Sequence, residues 1–184
     1  AIDCPKANIY LVQDQDTGLI YNLDFNPELM VYDKHYQNEQ AVSPSFQKHL
    51  DSVVKIVKKG LGSKSLVEVG CGKAYFLELL QSKGVEITGF DPTYEGKNKS
   101  IERNYFKKGV GVEADGLILR HVLEHIQNPI EFLQELSIAN KEKGRVYIEV
   151  PCFDWIVENK AWYDIFYEHV NYFRLSDLNN IFGN

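Results

Sequence analysis

The stretch LVEVGCGKAYFLELL, Leu66 to Leu80, carries apolar residues into a glycine pair and out again into a helical pattern. Leu66–Val69 reads as a buried strand, and the apolar side chains from Tyr75 onward recur at helical spacing. Gly70 and Gly72 stand between the two. Glycine at a strand-to-helix turn lets another molecule approach the main chain, and the following helix offers free N–H groups in its first turn. A tight turn without a ligand uses the same residues, so this stretch alone leaves both possibilities open.

The next strand narrows the choice. VEITGF closes on Asp91, roughly twenty residues past the glycines, where an acid at the tip of a second strand can accept the ribose hydroxyls of an adenosine-containing ligand. A dinucleotide would want G-x-G-x-x-G, but Lys73, Ala74 and Tyr75 follow Gly72. Further out the pattern keeps alternating. A helix is expected from Ser43, with Pro44 in its first turn, to Gly60, with Phe46, Leu50, Val53, Val54 and Val57 on one face. GLILRHV and RVYIEV read as strands, the latter halted by Pro151. Between them NPIEFLQELSIAN is a helix capped at Asn128. Strands separated by amphipathic helices predict an α/β fold with a doubly wound, mostly parallel sheet. IYLV and GLIYNL near the start predict a hairpin around QDQDTG, and Ser176 is expected to cap a last helix.

Composition sets the outer limits. The chain has 184 residues, 44% of them hydrophobic, with 26 acidic and 20 basic side chains and a formal charge of −6. An acidic balance argues against a nucleic-acid partner. No apolar run reaches membrane-span length and no secretory pattern opens the chain, so a cytoplasmic location without a membrane partner is expected. Cys4, Cys71 and Cys152 are odd in number and widely spaced, so no disulfide framework or CxxC pair is visible.

These motifs resemble class I methyltransferases that use S-adenosylmethionine (SAM). VEVGCGKAYFLELL is similar to their E/D-x-G-x-G-x-G motif with Ala74 in place of the third glycine, ITGFDP to their acidic ribose motif, and ADGLILRHVLEHIQNP to their fourth-strand segment. The resemblance implies a Rossmann-like fold, SAM as cofactor, and cofactor contacts from Glu68, Gly70, Gly72, Asp91, Pro92, Asp115 and Arg120. YDKHYQNEQAVSPSFQKHL and IEVPCFDWIVENKAWYDIFYEHVNYFRLSDL further resemble the sugar C-methyltransferase-like group, which implies a sugar or sugar-nucleotide acceptor. That group often opens with a zinc-binding stretch. Here Asp14 and Thr17 stand where its cysteines would be, so no metal is expected. Residues 1–42 are expected to form an irregular segment covering substrate or cofactor, and 43–184 the SAM-binding domain. Members usually add two more strands after the helix near Ser176. None is expected before Asn184, which leaves a five-stranded core with an exposed edge and room for a homo-oligomer.

Methylating carbon beside a ketone requires removal of an α-proton and stabilisation of the enolate. FYEHVNYF offers Tyr167, Glu168, His169 and Tyr172. His169 has the intrinsic pKa of a base, Glu168 can orient a partner, and the Tyr167 and Tyr172 hydroxyls can donate to an enolate. Tyr36, His121 and Tyr172 are candidates toward the substrate, and the resemblance puts the family's Glu-His pair on Glu168 and His169. HVLEH, His121 to His125, also matches the H-x-x-E-H of a metallopeptidase class, but it follows directly on a strand rather than lying within a helix. His121 is expected at the strand tip, and His125 as a packed structural residue. Tyr32, Asn38 and Gln40 are further covering candidates. Lys97, Lys99, Arg103, Lys107 and Lys108 form a solvated basic face or attract a phosphate-bearing substrate. Methylation of a saccharide oxygen and a non-catalytic SAM-binding module are the alternatives.

Overall fold

The computed structural model describes residues 6–30 and 43–183. Its strands are β1 (Leu11–Gln13), β2 (Ile20–Asn22), β3 (Leu66–Val69), β4 (Ile87–Phe90), β5 (Ile101–Glu102), β6 (Gly116–Arg120), β7 (Arg145–Glu149) and β8 (Asn171–Tyr172). Its α-helices are α1 (Pro44–Leu61), α2 (Tyr75–Ser82), α3 (Pro129–Ala139), α4 (Phe153–Glu158) and α5 (Leu175–Phe182). The chain forms two compact units. Among the described residues, a sheet unit takes 43–120 and 133–148, and a split unit takes 6–30, 121–132 and 149–183.

The sheet unit is built on five strands in the order β5-β4-β3-β6-β7. Parallel pairing sets Leu66 opposite both Ile87 and Gly116, so the carboxyl ends of β3, β4 and β6 lie along one rim. All four residues of β3 are buried, as expected of a central strand covered on both faces. Leu50, Val53, Val54 and Val57 of α1 join Leu77 and Leu80 of α2 and Leu66 and Ile118 of the sheet in one core. Each such side chain contributes roughly 1.5–3 kcal/mol on burial. α2 lies close on β4, where a Cβ at Gly89 would come within 2.6 Å of Leu77 Cδ1 and 2.8 Å of Cys71 Sγ. α1 runs one residue past Gly60, and Gly62 at φ +93° ends it. Ser43 holds its N-cap position without a side-chain hydrogen bond.

In the split unit the expected hairpin forms, with Leu11 opposite Asn22, and β8 from the chain's tail adds a third strand through Ile20 opposite Tyr172. The Asp14 carboxylate closes the hairpin turn by accepting the Thr17 N–H at 2.7 Å and its hydroxyl at 2.8 Å. α5 starts two residues earlier than expected. Arg174 occupies its N-cap, and the buried Asp177, rather than Ser176, bonds back to the Arg174 N–H at 2.8 Å. The same Arg174 guanidinium donates to the Gly18 carbonyl at 2.8 Å, tying the hairpin to the tail. No helix among the described residues is long and apolar enough to cross a membrane.

Candidate functional site

The glycine turn sits at the carboxyl end of β3, at the centre of the sheet unit. Gly70, Gly72 and Ala74 have φ of +71°, +52° and +69°, an alternation of left-handed residues that swings the chain from β3 into α2. The Gly70 N–H donates to the Phe90 carbonyl at 2.8 Å, and the Gly72 N–H donates to Asp91 Oδ2 at 2.8 Å. Asp91 Oδ1 accepts from the Thr93 N–H at 2.8 Å and its hydroxyl at 2.7 Å. A Cβ at Gly72 would meet nothing within 4 Å, so the main chain there faces open space. Open backbone beside an acid at a strand tip is the arrangement that an adenosine-bearing cofactor needs. The donor set fits the group the sequence implied.

The remaining cofactor candidates divide. Glu68 is buried in β3, and Pro92 is exposed just past Asp91. Arg120 ends β6 on the same rim, its guanidinium 4.3 Å from the Phe76 ring centroid. Asp115 is a correction. It precedes β6, its N–H donates to the Ser65 carbonyl, and it lies at the amino end of the sheet. With Gly116 to Leu119 paired along Leu66 to Val69, a full strand separates it from the turn. Between the glycines, burial pushes the Cys71 thiol far up, and the charges of Glu68 and Asp91 push it further.

The second group of candidates gathers in the split unit. His121 follows β6 with φ +53°, a left-handed conformation that costs a β-carbon-bearing residue energy and marks strained sites. Its Nδ1 lies 3.2 Å from Glu124 Oε1 and its Nε2 3.7 Å from Glu149 Oε1. Burial works against its charge, yet the hydrogen bond to Glu124 and the nearby Glu149 carboxylate prevail and push its pKa up to about 9. His169 is the opposite case. Burial pushes it down to about 4 against the charge of Glu124. Its ring centroid lies 3.9 Å from that of Phe166 and 5.1 Å from that of His125.

Not every sequence candidate joins this cluster through its own functional group. The Tyr167 hydroxyl accepts the Asn26 N–H at 2.7 Å and donates to the Asp24 carbonyl at 3.4 Å. The Tyr172 hydroxyl donates to the Phe166 carbonyl at 3.2 Å, and burial raises its pKa to about 12. Glu168 accepts the His125 Nδ1–H through its main-chain carbonyl at 2.9 Å. Tyr36, with Tyr32, Asn38 and Gln40, lies outside the described residues. The five basic residues after Asp91 are exposed, and Arg103 donates to the Gly96 carbonyl at 3.0 Å. H-x-x-E-H lies on a short 3-10 turn, Leu123–His125, so the helix that a metallopeptidase would need is not formed.

Glu124, His125 and His169 each bring a ligand-capable atom within 4.8 Å of the others. Sequence reasoning gave His125 and Glu124 no shared role with His169, and it passed over Glu149. The one signal that could have joined them was H-x-x-E-H itself, since it puts an acid and an imidazole side by side after a strand.

A methyltransferase domain model matches residues 32–184. No curated protein matches the chain. Among solved structures it is similar to a SAM-dependent methyltransferase from Archaeoglobus fulgidus, at 21% identity and TM-score 0.53, over 77% of this chain and 73% of that one. It is also similar to magnesium protoporphyrin IX methyltransferase (ChlM) from Synechocystis PCC 6803 with bound SAH, at 18% identity and TM-score 0.51, over 80% and 78%. A third is the plantazolicin methyltransferase BpumL in complex with SAH, at 16% identity and TM-score 0.53, over 74% of this chain and 62% of that one. At these identities the solved structures speak for the fold, which is the Rossmann-like class I arrangement, while the domain model spans most of the chain. With the open glycine turn and Asp91 in place, the chain belongs to the methyltransferase domain family and is a SAM-dependent methyltransferase.

Proposed function

We propose that the acceptor is a sugar or sugar nucleotide, and that the methyl group goes to carbon beside a carbonyl in preference to a hydroxyl. The supporting observation is the polar nest of the split unit. There His121, Glu124, Glu149, His125 and His169 converge, with Glu124 and His169 buried. SAM supplies an electrophilic methyl group when bound. A nucleophile that is already formed needs little beyond alignment. A carbon acceptor needs more, because its α-proton must leave and its enolate oxygen must be held. Imidazoles and carboxylates gathered in one place offer both kinds of group. Glu68, Gly70, Gly72, Asp91, Pro92 and Arg120 would hold the cofactor, and the Glu168–His169 segment would engage the acceptor.

Transfer to a saccharide hydroxyl is the second reading, because one proton acceptor suffices for it. The test is a screen of keto-sugar nucleotides with SAM in deuterated water, reading S-adenosylhomocysteine release and deuterium at the α-carbon. Carbon transfer predicts exchange that persists when SAM is omitted. It also predicts that His169→Asn lowers turnover by about 10²–10⁴-fold, the range for losing a group that handles the proton. Methylation of a hydroxyl without exchange would overturn the carbon assignment, and full activity in His169→Asn would remove that residue from the chemistry.

A further inference from the structure

We propose that Glu124, His125 and His169 form a binding site for one divalent first-row transition-metal ion, with Zn²⁺ the natural occupant. The three residues come from two segments of the split unit, and their ligand-capable atoms lie within 4.8 Å of one another. Ligands around a tetrahedral Zn²⁺ at about 2.1 Å stand about 3.4 Å apart, so closure by about 1 Å completes the geometry.

The hydrogen bonds prepare the site. His125 donates its Nδ1–H to the Glu168 carbonyl, so in the neutral ring the basic lone pair is on Nε2. Metal-bound histidines characteristically spend their second ring nitrogen in this way, which fixes tautomer and ring orientation. The His169 ring packs against that of His125 with their centroids 5.1 Å apart. The carboxylate supplies the second observation. Glu124 is 1% exposed, its Oε1 faces His121, and its Oε2 is buried with no hydrogen-bond partner. A buried carboxylate oxygen left without a donor is costly, and a cation among two imidazoles removes the cost. Two nitrogens and one oxygen select a transition metal over Mg²⁺ or Ca²⁺, which prefer all-oxygen shells. The main chain braces the set, because the Val170 N–H, next to His169, donates to the Glu124 carbonyl at 2.8 Å. Three protein ligands leave a position open to an oxygen donor. With the ion bound His169 is a ligand and not a free base, so proton removal by His169 belongs to the metal-free chain.

The ion is read without turnover, so its failure is separable from failure of the acceptor assignment. The whole chain is stripped with a chelator and titrated with Zn²⁺ by calorimetry and with Co²⁺ by visible absorption. One equivalent per chain is expected, with a cobalt spectrum of low coordination number and a raised Tm. His125→Ala, His169→Ala and Glu124→Gln should each weaken binding at least tenfold and abolish the Tm increase. His49→Ala, an exposed histidine on α1, should change neither. If a buried substitution unfolds the chain, His125→Ala and the wild-type cobalt spectrum still decide. Absence of stoichiometric binding by the wild type, or equal binding by His125→Ala, overturns the site.

Discussion

The two units solve different problems with different materials. In the sheet unit the candidate site is mostly main chain: Gly70 and Gly72 open the backbone, and one carboxylate, Asp91, fastens the turn through the Gly72 N–H. In the split unit it is all side chain, with imidazoles and carboxylates brought together from segments far apart in sequence. A backbone site tolerates little change in glycine geometry and much change in side chains. A side-chain site has the reverse sensitivity. Cofactor binding should therefore follow substitutions in the sheet unit alone.

The largest expected effect tests that separation. Asp91→Ala should weaken SAM binding by about 2–4 kcal/mol, the value of two hydrogen bonds to a charged group. His169→Asn should leave it nearly unchanged. Calorimetry on both variants decides, and equal SAM affinity in Asp91→Ala and wild type would dissolve the distinction. The melting curve of Asp91→Ala must be followed as well, because the same carboxylate holds Gly72 and Thr93.

A smaller effect is expected in the split unit. Arg174→Met keeps much of the side-chain length but removes the donor to the Gly18 carbonyl and leaves Asp177, 1% exposed, without its cation. A loss of about 1–3 kcal/mol in urea unfolding is expected, with SAM affinity intact. Equal stability would mean that hairpin and tail do not depend on this tie.

The smallest effect concerns Ala74. Its φ of +69° would suit the glycine that the resembling family carries there, yet its methyl group is fully buried in the core. Relief of left-handed strain, about 1–2 kcal/mol, opposes the loss of one buried methyl, about 0.8 kcal/mol. Ala74→Gly should thus shift stability by no more than about 1 kcal/mol and barely change SAM affinity. Loss of binding would show that the methyl group, rather than the backbone, shapes the turn.

The same contrast explains what could be read from the chain. The sheet unit was legible because its signals are local. Leu66–Val69 is apolar but for Glu68, α1 repeats its buried face over five turns, and Asp91 stands at a spacing set by one helix and one strand. Ala74 keeps the left-handed backbone of the glycine it replaces, and alanine gives no hint of that in the sequence. Asp115 was misplaced because a motif match fixes the strand without saying which end of it a residue occupies. The split unit hid its architecture in distance. β8 has two residues, too few to show any period, and its partner Ile20 lies at the other end of the chain. His125 and His169 share a cluster because a 3-10 turn and the residues before β8 come together, and no spacing rule spans that separation.

The tie between Gly18 and Arg174 crosses 156 residues. A ribosome adding roughly 5–20 residues per second needs about 8–31 s to cover that interval. For all that time β2 has been made while the strand that flanks it has not, and its edge is open to any other extended chain. The sheet unit has no such delay across residues 44–120, where its helices and first four strands follow one another closely. The nascent protein thus carries one half able to form early beside a hairpin that must wait. Chaperones that shield exposed strand edges would act at β1 and β2, and crowding on the ribosome should harm the imidazole cluster before it harms the cofactor turn.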